Sequence, residues 1–196
     1  MNRRDTRVRQ QVASHCLHYP DDVRLPLLRR ALEEVPDAGL SALLDHLARS
    51  SAVAAARHYV EVFDTEADRC LHLTWFTDGD TRRRGGSLAA LKLEYRRHGF
   101  RLDDGELPDY LPVLLEFAAL TGEPGQRLLA GFRPALRLLH RNLLAAGTPY
   151  AAAVGSVLAT VPVRDDVRPV TVGAPVEQVG VEPVLLGYPT LPERTR

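Results

Sequence analysis

Glu106-Leu107-Pro108-Asp109-Tyr110-Leu111-Pro112-Val113-Leu114-Leu115-Glu116-Phe117 carries the clearest helical signal in the chain. Behind its two prolines, the apolar positions Leu111, Leu114, Leu115 and Ala118 recur at intervals of three and four residues. That period lays them along one face of a helix, whereas a strand requires alternation by two. Proline is tolerated in a first helical turn, because the N–H it lacks would have no intrahelical acceptor there. The spacing therefore predicts an amphipathic helix opening at Pro108.

The same period extends in both directions. Upstream, Val8, Val12, Cys16 and Tyr19 recur at helical spacing until Pro20-Asp21-Asp22, which ends that helix and caps a second one running to about Glu34. Leu40, Leu43, Leu44 and Leu47 trace a third stripe, and Val53, Ala56, Tyr59, Val60 and Phe63 a fourth after the Ser50-Ser51 break. Residues 64–80 lack a clean period and read as an ordered connector across the bundle, with room for a short extended piece. Leu88, Leu91 and Tyr95 restore the period in a fifth helix, and Gly99 stands where a left-handed C-terminal cap is wanted. Downstream of the opening stretch, a seventh helix is expected over residues 124–146, bent at Pro134 and ended by Gly147. Thr148-Pro149 forms an N-cap and first-turn pair for an eighth helix, Tyr150 to Thr160.

After residue 161 the character changes, with prolines at 162, 169, 175, 183, 189 and 192 interrupting a Val-rich stretch. Such a segment cannot close a core of its own. The expected organisation is a single all-α bundle over residues 1–161, followed by an extended or mobile Pro-rich tail over 162–196. A parallel α/β fold is disfavoured, since strands do not alternate with helices and no glycine-rich phosphate loop occurs.

Composition narrows the function classes. Lys plus Arg and Asp plus Glu both number 25, so no net field is available to hold nucleic acid or an anionic membrane. Cys16 and Cys70 are too few for a disulfide framework. Met1-Asn2-Arg3-Arg4 is not followed by an apolar h-region, so it does not read as a twin-arginine signal, and no run of about 18 apolar residues suggests a membrane span. These features point to the cytoplasm.

No motif places a nucleophile or an acid–base pair, so an enzyme is not expected. His15 and His18 lie three apart on one helical face, and Cys70 stands near His72, but neither pair has the spacing of a common zinc site. Neither a metal nor a cofactor is expected. Arg82-Arg83-Arg84 falls at a predicted helix N-terminus, where the macrodipole disfavours cations. An anionic partner and a merely solvated run both account for that cluster.

Three segments together resemble the NarJ branch of the TorD/DmsD-like redox-enzyme chaperones. The first is Tyr59-Val60-Glu61-Val62-Phe63-Asp64 with Arg69, Leu71-His72-Leu73-Thr74 and Trp75; the second is Gly79-Asp80-Thr81-Arg82-Arg83-Arg84-Gly85 running into Leu88, Leu91, Lys92, Tyr95 and Gly99. The third is the opening stretch itself. Cys16-Leu17-His18-Tyr19-Pro20-Asp21 is similar to the way these proteins begin, and Val181-Glu182-Pro183-Val184 to their closing Trp-Glu-Pro element, with Val where Trp is usual. The resemblance implies an all-helical chaperone without catalysis that binds the N-terminal segment of the nitrate reductase catalytic subunit. It also implies that the apo-enzyme is held open for molybdenum cofactor insertion.

A client helix laid in a groove needs apolar anchors and a few acids. Tyr59, Phe63, Trp75 and Phe76 are the aromatic candidates, with core packing as the competing role for each. Asp109 and Glu116, seven residues apart and so on nearly one helical face, are the acidic candidates. Arg82, Arg83 and Arg84 are candidates for contact with an anion or a partner. A helical regulator or adaptor for a different protein is the alternative reading.

Overall fold

The structure is a computed structural model that describes residues 2–20, 24–103 and 105–167. Local sequence sets the helix boundaries. Asn2, Asp37 and Ser51 each accept a backbone N–H three residues on, which opens α1 (Arg3–Leu17), α3 (Ala38–Arg49) and α4 (Ala52–Phe63). Pro26 lies in the first turn of α2 (Leu25–Glu34). The connector after α4 contains a 3-10 turn at Ala67–Arg69 and one helical turn, α5 (Trp75–Asp78). Then come α6 (Arg82–Arg97), α7 (Leu111–Thr121), α8 (Glu123–Gly131), α9 (Arg133–Ala145) and α10 (Tyr150–Thr160). Gly99 does take the left-handed conformation after α6, at φ 80°.

Helix α1 lies against α7 and α10 at the centre, with α3 and α9 packed on α10 and α8 on α7. Leu17, Leu40, Leu114, Leu136 and Tyr150 are fully buried where these helices meet. Two glycines allow the closest approaches. A Cβ on Gly39 would stand 2.6 Å from the Ala152 carbonyl oxygen on α10, and one on Gly125 would collide with the Ala118 backbone on α7.

Three expectations about local structure are corrected. Helix α7 opens at Leu111, with Pro112 rather than Pro108 in its first turn. The chain ahead of it is engaged elsewhere: Leu73 N–H donates to the Asp109 carbonyl at 3.0 Å and Leu111 N–H to the Leu71 carbonyl at 2.8 Å, an antiparallel bridge between His72 and Tyr110. The single helix expected over 124–146 is two helices that meet at Phe132. Pro134 cannot donate to the Ala130 carbonyl and its ring crowds that oxygen, so it starts α9 instead of bending a continuous helix. The Thr148 hydroxyl makes a 3.1 Å hydrogen bond with His58 Nε2, and α10 begins without a side-chain cap.

The expected tail falls largely outside the described residues. Of its beginning, residues 162–167 are not helical, and Val167 packs against the core. Among the described residues, no helix is long and apolar enough to cross a membrane.

Candidate functional site

The bridge between the connector and the start of α7 turns the Asp109 carboxylate inward, where its side chain is fully buried. Oδ2 accepts from the Thr74 backbone N–H at 3.2 Å and from the Thr74 hydroxyl, while Oδ1 lies 3.2 Å from His72 Nδ1. Arg84 completes the cradle: its Nε donates to the Thr74 hydroxyl at 3.1 Å and its Nη2 lies 3.6 Å from Asp109 Oδ2. Burial alone would raise the Asp109 pKa. The hydrogen bonds from His72 and Thr74 and the charges of His72 and Arg84 outweigh burial and hold it below the usual carboxylate value.

Tyr110, next in sequence, points to the other side of the same turn. Its hydroxyl lies 2.8 Å from that of Tyr59, and both reach the Leu17 carbonyl at the end of α1, at 3.4 and 3.1 Å. Buried Tyr59 and half-buried Tyr110 support two outer rings. His18 stands edge-on to Tyr110 and Tyr19 edge-on to Tyr59, each with ring centroids 5.5 Å apart. Phe63 packs behind Tyr59 and against Tyr150.

Above this aromatic layer lies a groove of about 530 Å³, built from the end of α1, from α2, α3 and α7, and from the loop before α7. Tyr19, Leu25, Leu28 and Leu47 form its apolar lining. His15, His18, Arg24, Glu106 and Glu116 supply the polar part. Tyr19 is 57% exposed at the rim of the groove, so its ring is available to a bound segment.

The groove's electrostatics favour neutral histidines and weaken the acidity of Glu106. Burial, and then the charge of Arg24, lowers the His15 pKa, partly offset by Glu116. Burial and His15 lower that of His18. Burial, with Asp103 and Glu116 nearby, raises the Glu106 pKa. A cation placed between Glu106 and Glu116 would relieve that repulsion.

The structure thus separates the residues selected from sequence. Glu116 is exposed and lines the groove. Asp109 does not share its helical face: it precedes α7, and its carboxylate is spent inside. Tyr59 and Phe63 lie beneath the groove, at 6% and 3% exposure, and shape it through Tyr19. Trp75, half-buried, and Phe76, buried, belong to α5, which packs on α6 and α9 and contributes nothing to the groove. Arg82 and Arg83 are exposed, whereas Arg84 is tied to Thr74 and Asp109.

Sequence reasoning missed Tyr19, Leu25, Leu28 and Leu47 as groove residues. The similarity of the Cys16-to-Asp21 stretch to the way the chaperones begin is the feature that pointed nearest to them.

An apolar groove edged with charged side chains suits the binding of an amphipathic segment, and the chain's relatives identify its family. Residues 30–150 match the nitrate reductase delta subunit family, and the chain belongs to that family. It is 38% identical over 154 residues to the nitrate reductase-like protein NarX of Mycobacterium tuberculosis, a match covering 76% of this chain and 24% of that one. The chain thus spans about a quarter of that relative's length. It is 36% identical over 126 residues to a Bacillus subtilis protein named as a probable nitrate reductase molybdenum cofactor assembly chaperone, NarJ, covering 61% of this chain and 68% of that one. In fold it is similar to a protein of Archaeoglobus fulgidus described as a redox enzyme maturation protein, with a TM-score of 0.63 at 20% identity over 78% of this chain and 91% of that one.

Proposed function

We propose that this chain is a cytoplasmic, non-catalytic assembly chaperone for a nitrate reductase. It binds the N-terminal segment of the catalytic subunit in the groove and keeps the apo-enzyme competent for molybdenum cofactor insertion. The observation that carries this reading is the pairing of an apolar lining, Tyr19, Leu25, Leu28 and Leu47, with the carboxylates of Glu106 and Glu116 in one groove. The names of the Bacillus and other NarJ relatives support the nature of the client.

An amphipathic helix lays its apolar side in such a groove and offers its basic residues to the acids. Desolvation of the apolar anchors supplies most of the affinity, while Glu106 and Glu116 set register and orientation. The hydrogen-bonded Tyr59–Tyr110 pair holds the end of α1 in place, so His18 and Tyr19 are presented on a fixed base. Asp109 acts as a positioning residue: it fixes the turn from which Tyr110 projects and Glu116 follows on α7. Arg82 and Arg83 remain open to a second contact with the same client.

Calorimetric titration with the catalytic subunit's N-terminal peptide tests this reading. Glu116→Gln and Glu106→Gln should each weaken binding by about 1 kcal/mol or more, since each removes a charge-assisted contact. Both variants should melt as the native protein does. Unchanged affinity for both at low and at physiological salt would overturn the assignment of the groove and direct attention to Trp75 and Arg82–Arg83.

A further inference from the structure

Helix α9 turns Ala135, Leu136, Leu139 and Leu143 into the core, all at zero exposure. Arg133, Arg137 and Arg141 recur at four-residue intervals on its other side, in a row about 12 Å long at 1.5 Å per residue. The row lines a cavity of about 630 Å³. Leu138 contributes apolar lining, and Val163, Arg164 and Val167 form the wall supplied by the chain after α10.

The charges in this cavity are unevenly answered. Arg164 is paired twice, its Nη1 2.7 Å from Glu123 and its Nε 2.9 Å from Asp166. Asp166 is shared further with Arg127 at 2.7 Å. Arg133, Arg137 and Arg141 make no ion pair or side-chain hydrogen bond among the described residues, and Arg133 Nε is buried without any partner. A buried donor left unmet is costly, and like charges four apart on a helix repel. Neither the helix nor the core accounts for three arginines so placed.

We infer that this cavity is a docking site for an acidic segment of a partner protein. The segment's carboxylates stand about 6–7 Å apart, as at every fourth position of a helix or every second position of a strand. Guanidinium groups take carboxylates in bidentate pairs, and Leu138, Val163 and Val167 receive the apolar side chains between them. A diphosphate or triphosphate is more compact than the row and reaches fewer of its arginines. The site shares no lining residue with the groove of α1, α2, α3 and α7, so it stands or falls independently of the proposed client.

The test is fluorescence polarisation of the full chain with a labelled peptide carrying glutamate at every second position and valine and serine in turn between. The same peptide with glutamine is the control. Saturable binding of the glutamate peptide is expected, weakened at least about tenfold by the R137E/R141E double variant and by the glutamine exchange, and unmoved by E116Q. Positions 137 and 141 are exposed, and R137Q/R141Q provides a milder variant should reversal impair folding. Equal binding of the two peptides, no binding of either, or insensitivity to both arginine variants would overturn the proposal. Stronger competition by inorganic triphosphate than by unlabelled glutamate peptide would reassign the site to phosphates. A tenfold or greater gain in affinity in E177Q/E182Q would show that the chain's own acids are the occupant.

Discussion

Helices α6 and α7 are neighbours in sequence but are held in place by different physics. Eight of the eleven residues of α7 are buried, whereas only Leu91 and Tyr95 are buried among the sixteen of α6. The first turns of α6 break several local rules together. Thr81 provides no side-chain cap, Arg82, Arg83 and Arg84 oppose the macrodipole, and Gly85-Gly86 lies in open space. Two polar tethers compensate, Arg84 to Thr74 and Asp109, and the Tyr95 hydroxyl to the Pro108 carbonyl at 2.7 Å. Both end at or beside the turn that opens α7. Burial fixes α7, and α6 is fixed by being tied to it. The distinctive Gly79-to-Gly85 sequence is therefore spent on attachment rather than on core.

If burial holds α7 and tethers hold α6, removing a buried side chain from α7 costs far more than removing an exposed one from α6. Leu114→Ala on α7, at zero exposure, should cost about 2–5 kcal/mol in urea-induced unfolding, from lost transfer energy and the cavity left behind. Leu93→Ala on α6, at 49% exposure, should stay within about 0.5 kcal/mol of the native protein. Similar losses at the two positions would mean that α6 contributes more to the core than its burial indicates.

A second effect, smaller in size, tests the tether. Asp109→Asn keeps the shape but removes the charge that answers Arg84 and places amide hydrogens near existing donors, a loss of about 1–3 kcal/mol near neutral pH. The pH dependence has a definite sign. The folded Asp109 pKa is depressed, so its contribution is complete above the unfolded value of about 3.9 and is lost as pH falls through the folded one. Unfolding free energies measured from neutral pH downward should therefore converge for native protein and variant at the acid end. A constant gap down to the lowest pH would show that shape, rather than charge, is what Asp109 supplies.

The sequence made some of this legible and not the rest, for physical reasons. Periodicity reports which side of a helix is apolar, so Leu40, Leu43, Leu44 and Leu47, and likewise Tyr59 and Phe63, could be placed inward without knowing what they meet. But Val53 and Val60 of the same expected stripe face outward at 80% and 39% exposure, and Ala55 and Val62 take the buried side of α4 instead. Asp109 was open to misreading because its partners are remote: Thr74 lies 35 residues away, and only the folded connector brings it near. Local rules offered a helix-dipole role or a shared face with Glu116, and neither describes a carboxylate closed in a cradle. Pro134 is ambiguous in sequence, since a proline can bend a helix or begin one, and only the packing of α8 and α9 decides. The groove draws on four helices and a loop, and spacing along a chain carries no sign of such a convergence.

Helix α6 is weakest in its first turns, and small gains of stability are expected there. Gly85 and Gly86 have helical backbones without positive φ, and a Cβ at either meets nothing within 4 Å. Alanine at each should therefore stabilise the protein by about 0.5–1 kcal/mol, through helix propensity and a less mobile unfolded chain. Gly39→Ala gives the contrast, because its new methyl would meet Ser156 and the Ala152 carbonyl on α10 and should destabilise. Hydrogen exchange locates the gain. If α6 is limited by its first turns, the Arg84 N–H, bonded to the Thr81 carbonyl at 3.0 Å, should exchange more slowly in G85A/G86A, while amides at the centre of α7 slow only by the change in global stability. An equal slowing at both places would show that α6 opens only when the whole bundle does, and the tethers through Arg84 and Tyr95 would then have to be as strong as the burial that holds α7.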